Sequence, residues 1–222
     1  STFTENSSAV VIDSNVTIAD TELDALDSGA GNYNNATLTI ARNGGANSED
    51  VFGNNGLLGT LTESSTFTYN STTVGTVTTN SSGTLVLTFN TSATSAIVDS
   101  VLQNITYQNS SEDPVSSVTL DFTFNDGTAN STGTNQAIMS ISAQNDAPTD
   151  IGLDNTSVNQ SATGVGASIG TLSTTDVDAG DSHTYTLVNA SASDAGTCTS
   201  DAGNSSFQID GAILESQASL SG

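Results

Sequence analysis

The chain has 222 residues, with 24 Asp and Glu against a single basic side chain, Arg42, and a formal net charge of −23. That balance leaves no surface to neutralise phosphates, so nucleic acid is excluded as a partner, and an anionic membrane surface is an equally poor one. No apolar run is long enough to span a bilayer, so membrane insertion is not expected, and the length suits one large or two ordinary β domains.

Val10 to Ile12 reads as a short first strand. Ile18 to Leu26 follows, with Asp20, Glu22 and Asp24 at alternate positions. In an extended strand those three carboxylates point to one face, where they need a shared cation or full solvation. Ala36 to Ala41 alternates with period two, and Asn43, Gly44 and Gly45 supply turn chemistry. Leu57 to Leu61, Thr66 to Tyr69, Val74 to Thr78 and Thr84 to Phe89 continue the β pattern, with Asn80 to Gly83 as the turn before Thr84. One short helix is expected from Ser92 or Ala93 to about Asn104. Ser92 is its N-cap, and Ile97, Val98, Val101 and Leu102 lie on one helical face. Ile105 to Gln108 and Val118 to Phe124 are strands again. Asn125-Asp126-Gly127 signals a hairpin turn, and Ala137 to Ala143 is the last strand of this half.

Ala143 to Asp150 reads A-Q-N-D-A-P-T-D. Pro148 pushes Ala147 towards extended geometry, so helix is disfavoured there. Asn145 and Asp146 put side-chain oxygens on a short connection, and hard cations such as Ca²⁺ take six to eight oxygen ligands. Two readings stand: a calcium-stiffened joint, or an ordinary polar linker. Beyond it the β pattern restarts at Val158, Ile169 to Leu172, Tyr185 to Val188, Phe207 to Ile209 and Ile213 to Leu214. The expected fold is all-β: two tandem β-sandwich domains over residues 1–144 and 150–222, joined by a linker at 145–149. The second is too short for a complete sandwich. Because the chain begins at Ser1, it reads as a processed product or a segment of something longer.

The second half resembles bacterial cadherin-like repeats. The resemblance rests on N-D-A-P (Asn145 to Pro148), V-N-Q (Val158 to Gln160), I-G-T-L-S-T-T-D-V-D-A-G-D-S-H-T-Y-T-L-V (Ile169 to Val188) and F-Q-I-D-G-A-I-L (Phe207 to Leu214). It implies Ig- or cadherin-like sandwiches, and calcium held by Asp146, Asp176 and Asp178, with a carbonyl from Asn145. Gln160 departs from the family's usual Glu, which implies weaker binding. The first half resembles related repeats of large bacterial surface proteins. Here the carriers are D-T-E-L-D-A-L (Asp20 to Leu26), S-E-D-V-F-G (Ser48 to Gly53) and L-D-F-T-F-N-D-G (Leu120 to Gly127), with Asp20 and Glu22 where a D-x-E pair is expected. The joint implication is a secreted, extracellular adhesive or structural module. Its partners would be copies of itself or neighbouring repeats, and cell-surface glycans.

The motif N-x-S/T occurs at Asn6, Asn15, Asn35, Asn70, Asn80, Asn90, Asn104, Asn109, Asn130, Asn155, Asn159, Asn189 and Asn204, well above what composition alone predicts. It reads either as N-glycosylation of an exported protein or as the co-occurrence of Asn and Ser or Thr in polar turns. No catalytic motif is present, and His183 reads as a strand-face histidine. Cys198, the only cysteine, reads as a passive loop residue. A carbohydrate-binding module is the alternative function, and it requires an exposed aromatic patch from Tyr33, Tyr69 or Tyr107. A third reading, a glycan-modifying enzyme, requires two carboxylates facing a cleft. Strand exchange into a filament would pair Ser1 to Ile12 of one copy with Phe207 to Leu214 of another.

Overall fold

Two-residue alternation becomes burial. In the computed structural model, β3 (Thr37–Arg42) lies between β7 (Thr84–Phe89) and β9 (Ser117–Asn125), antiparallel to both. Leu38 stands opposite Leu87 and Phe124, and Ile40 opposite Leu85 and Phe122. Directly paired residues share a sheet face, so these rows present one apolar surface. The structure describes residues 1–133, 135–155, 157, 164–188 and 206–217. It divides into two units, Ser1–Gln144 and Asn145–Gly222.

The first unit has two sheets. The larger adds β1 (Thr2–Thr4), β5 (Thr66–Tyr69), β6 (Thr72–Ser81) and β10 (Gln136–Ser142), giving the order β1–β10–β9–β3–β7–β6–β5. The smaller consists of β2 (Val10–Val11), β4 (Asp50–Asn54) and β8 (Ile105–Asn109), in the order β2–β8–β4. The core lies between them, sandwich-fashion. Phe3 of β1 meets Tyr107 of β8 edge-on, with ring centroids 6.3 Å apart. Helix α2 (Ser95–Leu102) turns Val98, Val101 and Leu102 into the same core.

Three sequence expectations for the first unit need correction. Ile18–Leu26 is not a strand: Thr21–Asp24 forms a one-turn helix, α1, capped by Asp20, whose Oδ1 accepts the Glu22 and Leu23 N–H groups. An Asp ahead of Thr-Glu-Leu outcompetes the alternation because its side chain satisfies otherwise orphaned helix donors. The N-cap of α2 is Thr94 rather than Ser92, and the helix runs only to Leu102. Leu57–Leu61 contributes a single bridge, Leu58 to Tyr69, rather than a strand. The turn before Thr84 sits at Ser82 and Gly83, with φ of 51° and 75°, the left-handed region that glycine enters without steric cost.

The second unit is one antiparallel sheet of β11 (Asp150–Leu153), β12 (Ser168–Thr175), β13 (Phe207–Asp210) and β14 (Ile213–Ser216), in the order β11–β12–β14–β13. Leu153 pairs with Leu172, and Ile209 with Leu214. Among the described residues of this unit, Ile169 is the only buried apolar side chain. Tyr185–Val188 is not a strand, although the Tyr185 hydroxyl shares a 2.8 Å hydrogen bond with Thr174 Oγ1. Val158, Gln160 and Cys198 lie outside the described residues. The whole is all-β.

Candidate metal centre

The end of β12 runs into T-D-V-D-A-G-D, and the chain folds tightly there. Asp178 N–H donates to Asp176 Oδ1 at 3.1 Å, and Asp181 N–H reaches Asp178 O at 3.4 Å. The turn gathers three carboxylates: one oxygen each from Asp176, Asp178 and Asp181 lies within 4.8 Å of the other two. Like charges gathered so closely repel unless a cation or water screens them. The Asp176 side chain is only 5% exposed, and its Oδ2 is buried without a hydrogen-bond partner. The nearest basic atom to it is His183 Nε2, at 3.9 Å, beyond hydrogen-bonding distance. A buried acceptor without a donor is costly, and a metal ion is one way to satisfy it.

The donor set fits a hard cation. All three candidate donors are carboxylate oxygens, which suit Ca²⁺ or Mg²⁺ rather than a thiophilic metal. Calcium–oxygen distances are about 2.3–2.6 Å, so two ligands of one ion sit at most about 5 Å apart. The observed spacing of the three oxygens is within that limit.

Of the sequence-stated ligands, Asp176 and Asp178 are brought together. Asp146 reaches them through its backbone, its N–H donating to Asp178 Oδ2 at 2.6 Å. Asn145 turns its amide to the Asp146 carbonyl at 2.6 Å. Asp181 was not among the expected ligands, although its spacing after D-x-D was visible. Asp20 and Glu22 join no cluster of three or more acidic groups among the described residues. Asp20 spends Oδ1 on the cap, and residues two apart on a helix face different ways, so Asp20 and Glu22 do not converge on one ion.

Glu5, in the first unit, was missed altogether. It is buried, Oε2 accepts the Gln144 N–H at 2.7 Å, and Oε1 has no hydrogen-bond partner. A carboxylate oxygen of Glu112 lies within 4.8 Å of it. This pair is a second place where the donor chemistry suits a hard cation. Glu5 follows the inward Phe3 by two residues and points inward with it, but three strand residues are too few to show that alternation in the sequence.

The sequons separate by what their amide nitrogens do. Asn6, Asn15, Asn35, Asn70 and Asn130 are exposed, and Asn6, Asn35 and Asn70 sit at left-handed turn positions. Asn80, Asn90, Asn104 and Asn155 commit Nδ2 to backbone carbonyls. Asn109 is buried and donates towards Asp50. Asn159, Asn189 and Asn204 lie outside the described residues. Tyr33 and Tyr107 are fully buried and Tyr69 is half-buried, so these three rings form no exposed sugar platform. No helix among the described residues is long and apolar enough to cross a membrane. Comparison with protein-family models, characterised proteins and solved structures finds no match.

Proposed function

We propose that the chain is an extracellular structural or adhesive module whose second unit is completed by calcium. The observation that carries this reading is the Asp176–Asp178–Asp181 cluster, with one buried, unsatisfied oxygen and a hydrogen bond from the linker residue Asp146. A cation there neutralises three carboxylates and locks the loop that holds Asp146. The chain then passes through the linker in fewer conformations, and tandem units of this kind make a stiffer rod. The cadherin-like resemblance of the D-x-D and N-D-A-P motifs supports the same reading. In this account the exposed sequons at Asn6, Asn15, Asn35, Asn70 and Asn130 carry glycans, since glycosylation requires accessible asparagines in an exported protein.

Calorimetric titration tests the centre. The full chain is expected to bind calcium, and Asp176→Asn is expected to lose one class of site while staying folded. Binding of unchanged stoichiometry and affinity in Asp176→Asn would remove this centre from the account.

A further inference from the structure

A cavity of about 370 Å³ lies over the core of the first unit, between the 16–20 segment and the connection from β9 to β10. Leu38, Leu102 and Phe124 are buried beneath it, and the half-buried Val16, Ile18 and Phe122 supply its accessible apolar surface. Its rim is polar and acidic, and carries Asp20 and Asp126. Both carboxylates are held in place through one oxygen. Asp20 Oδ1 caps α1, and Asp126 Oδ1 accepts from the Thr128 hydroxyl and N–H and from the Ala129 N–H. None of these bonds uses either Oδ2. No basic side chain lines the cavity, because the chain's single Arg42 is bound to Asp50 elsewhere.

We infer that this cavity is a binding site for a small organic ammonium ion, its apolar body against Val16, Ile18 and Phe122 and its ammonium at Asp20 and Asp126. The volume falls in the range of small-molecule sites, which are apolar with a few placed polar groups. The two carboxylates, already oriented by turn and cap, accept charge-assisted hydrogen bonds without being reordered. A sugar fits less well, since hydroxyls around its ring would meet Val16, Ile18 and Phe122 and lose water without gaining a partner. An anion is repelled by the rim.

The probe is 2-phenylethylammonium, titrated into the full chain in EDTA at physiological salt, so that calcium plays no part and the result stands apart from the metal centre. Saturable binding is expected, with NMR contacts from the ligand ring to Phe122. The neutral 2-phenylethanol is expected to bind about tenfold more weakly or worse, as is the ammonium to Asp20→Asn or Asp126→Asn. Asn serves as an N-cap as well as Asp does, so Asp20→Asn keeps its fold. Asp150→Asn, in the second unit, removes the same charge and is expected to leave affinity unchanged. The proposal is overturned if no saturation is reached at millimolar ligand, if alcohol and ammonium bind alike, or if Asp150→Asn weakens binding as much as the rim variants.

Discussion

The hydroxyl of Thr128, with the Ala129 and Thr128 N–H groups, holds the Asp126 carboxyl down at about 2. Asp24 is lowered as well, first by the Ser95 hydroxyl and then by the Tyr33 hydroxyl. A carboxyl depressed on folding contributes stability that is fully present above its unfolded value, near 4, and is lost as pH falls through the folded value. The melting temperature should therefore drop between about pH 4 and pH 2, and Asp126→Asn should make that drop shallower. Melting curves across this window check it, and identical slopes in the two proteins would contradict it. At this scale much was legible. Asn125-Asp126-Gly127 was readable as a turn because its chemistry is local. Glu5 was not read because its neighbouring strand is three residues long, too short to display an alternation.

Arg42 on β3 reaches Asp50 on β4 with two hydrogen bonds, Nε to Oδ2 at 2.8 Å and Nη2 to Oδ1 at 2.6 Å. Tyr107 on β8 donates its hydroxyl to the same Oδ1 at 2.7 Å. The chain's one guanidinium thus clasps the larger sheet to the smaller around a buried carboxylate. Removing one partner strands the other in the core, so Arg42→Ala is expected to cost roughly 3–5 kcal/mol. Chemical denaturation measures this directly, and a loss below about 1 kcal/mol, the scale of a surface pair, would contradict it. The strand β4 was not read from the sequence, since S-E-D-V-F-G opens with charge and shows no long alternation. Its partners Arg42 and Tyr107 lie far along the chain, and only the fold brings them to Asp50. By contrast, Thr37–Arg42, Thr84–Phe89 and Ser117–Asn125 were legible because their alternation is long enough to leave one sheet face apolar.

The two units differ in what holds them. The first has an extensive core of aromatic and aliphatic side chains, whereas the second shows one buried apolar residue among those described. Small units short of core are commonly stapled by a disulfide or a metal, and the lone Cys198 rules out an internal disulfide. D-x-D was legible as a candidate cation motif because its two carboxylates are two residues apart in sequence. The place of Asp146 beside it depends on the chain's path and required the structure. β1 and β2 pair with β10 and β8 of their own unit, so strand exchange between copies would first have to release them. The most direct test of the calcium account is thermal unfolding of the full chain in calcium and then in excess EDTA. A ligand bound only to the folded state raises the melting temperature with its concentration, by about 2.7 kcal/mol of stability at a hundredfold excess over Kd. The account predicts a transition from the second unit that moves up with calcium and falls back on chelation, and that Asp178→Asn abolishes the shift. Superimposable melting curves in calcium and in EDTA would contradict it.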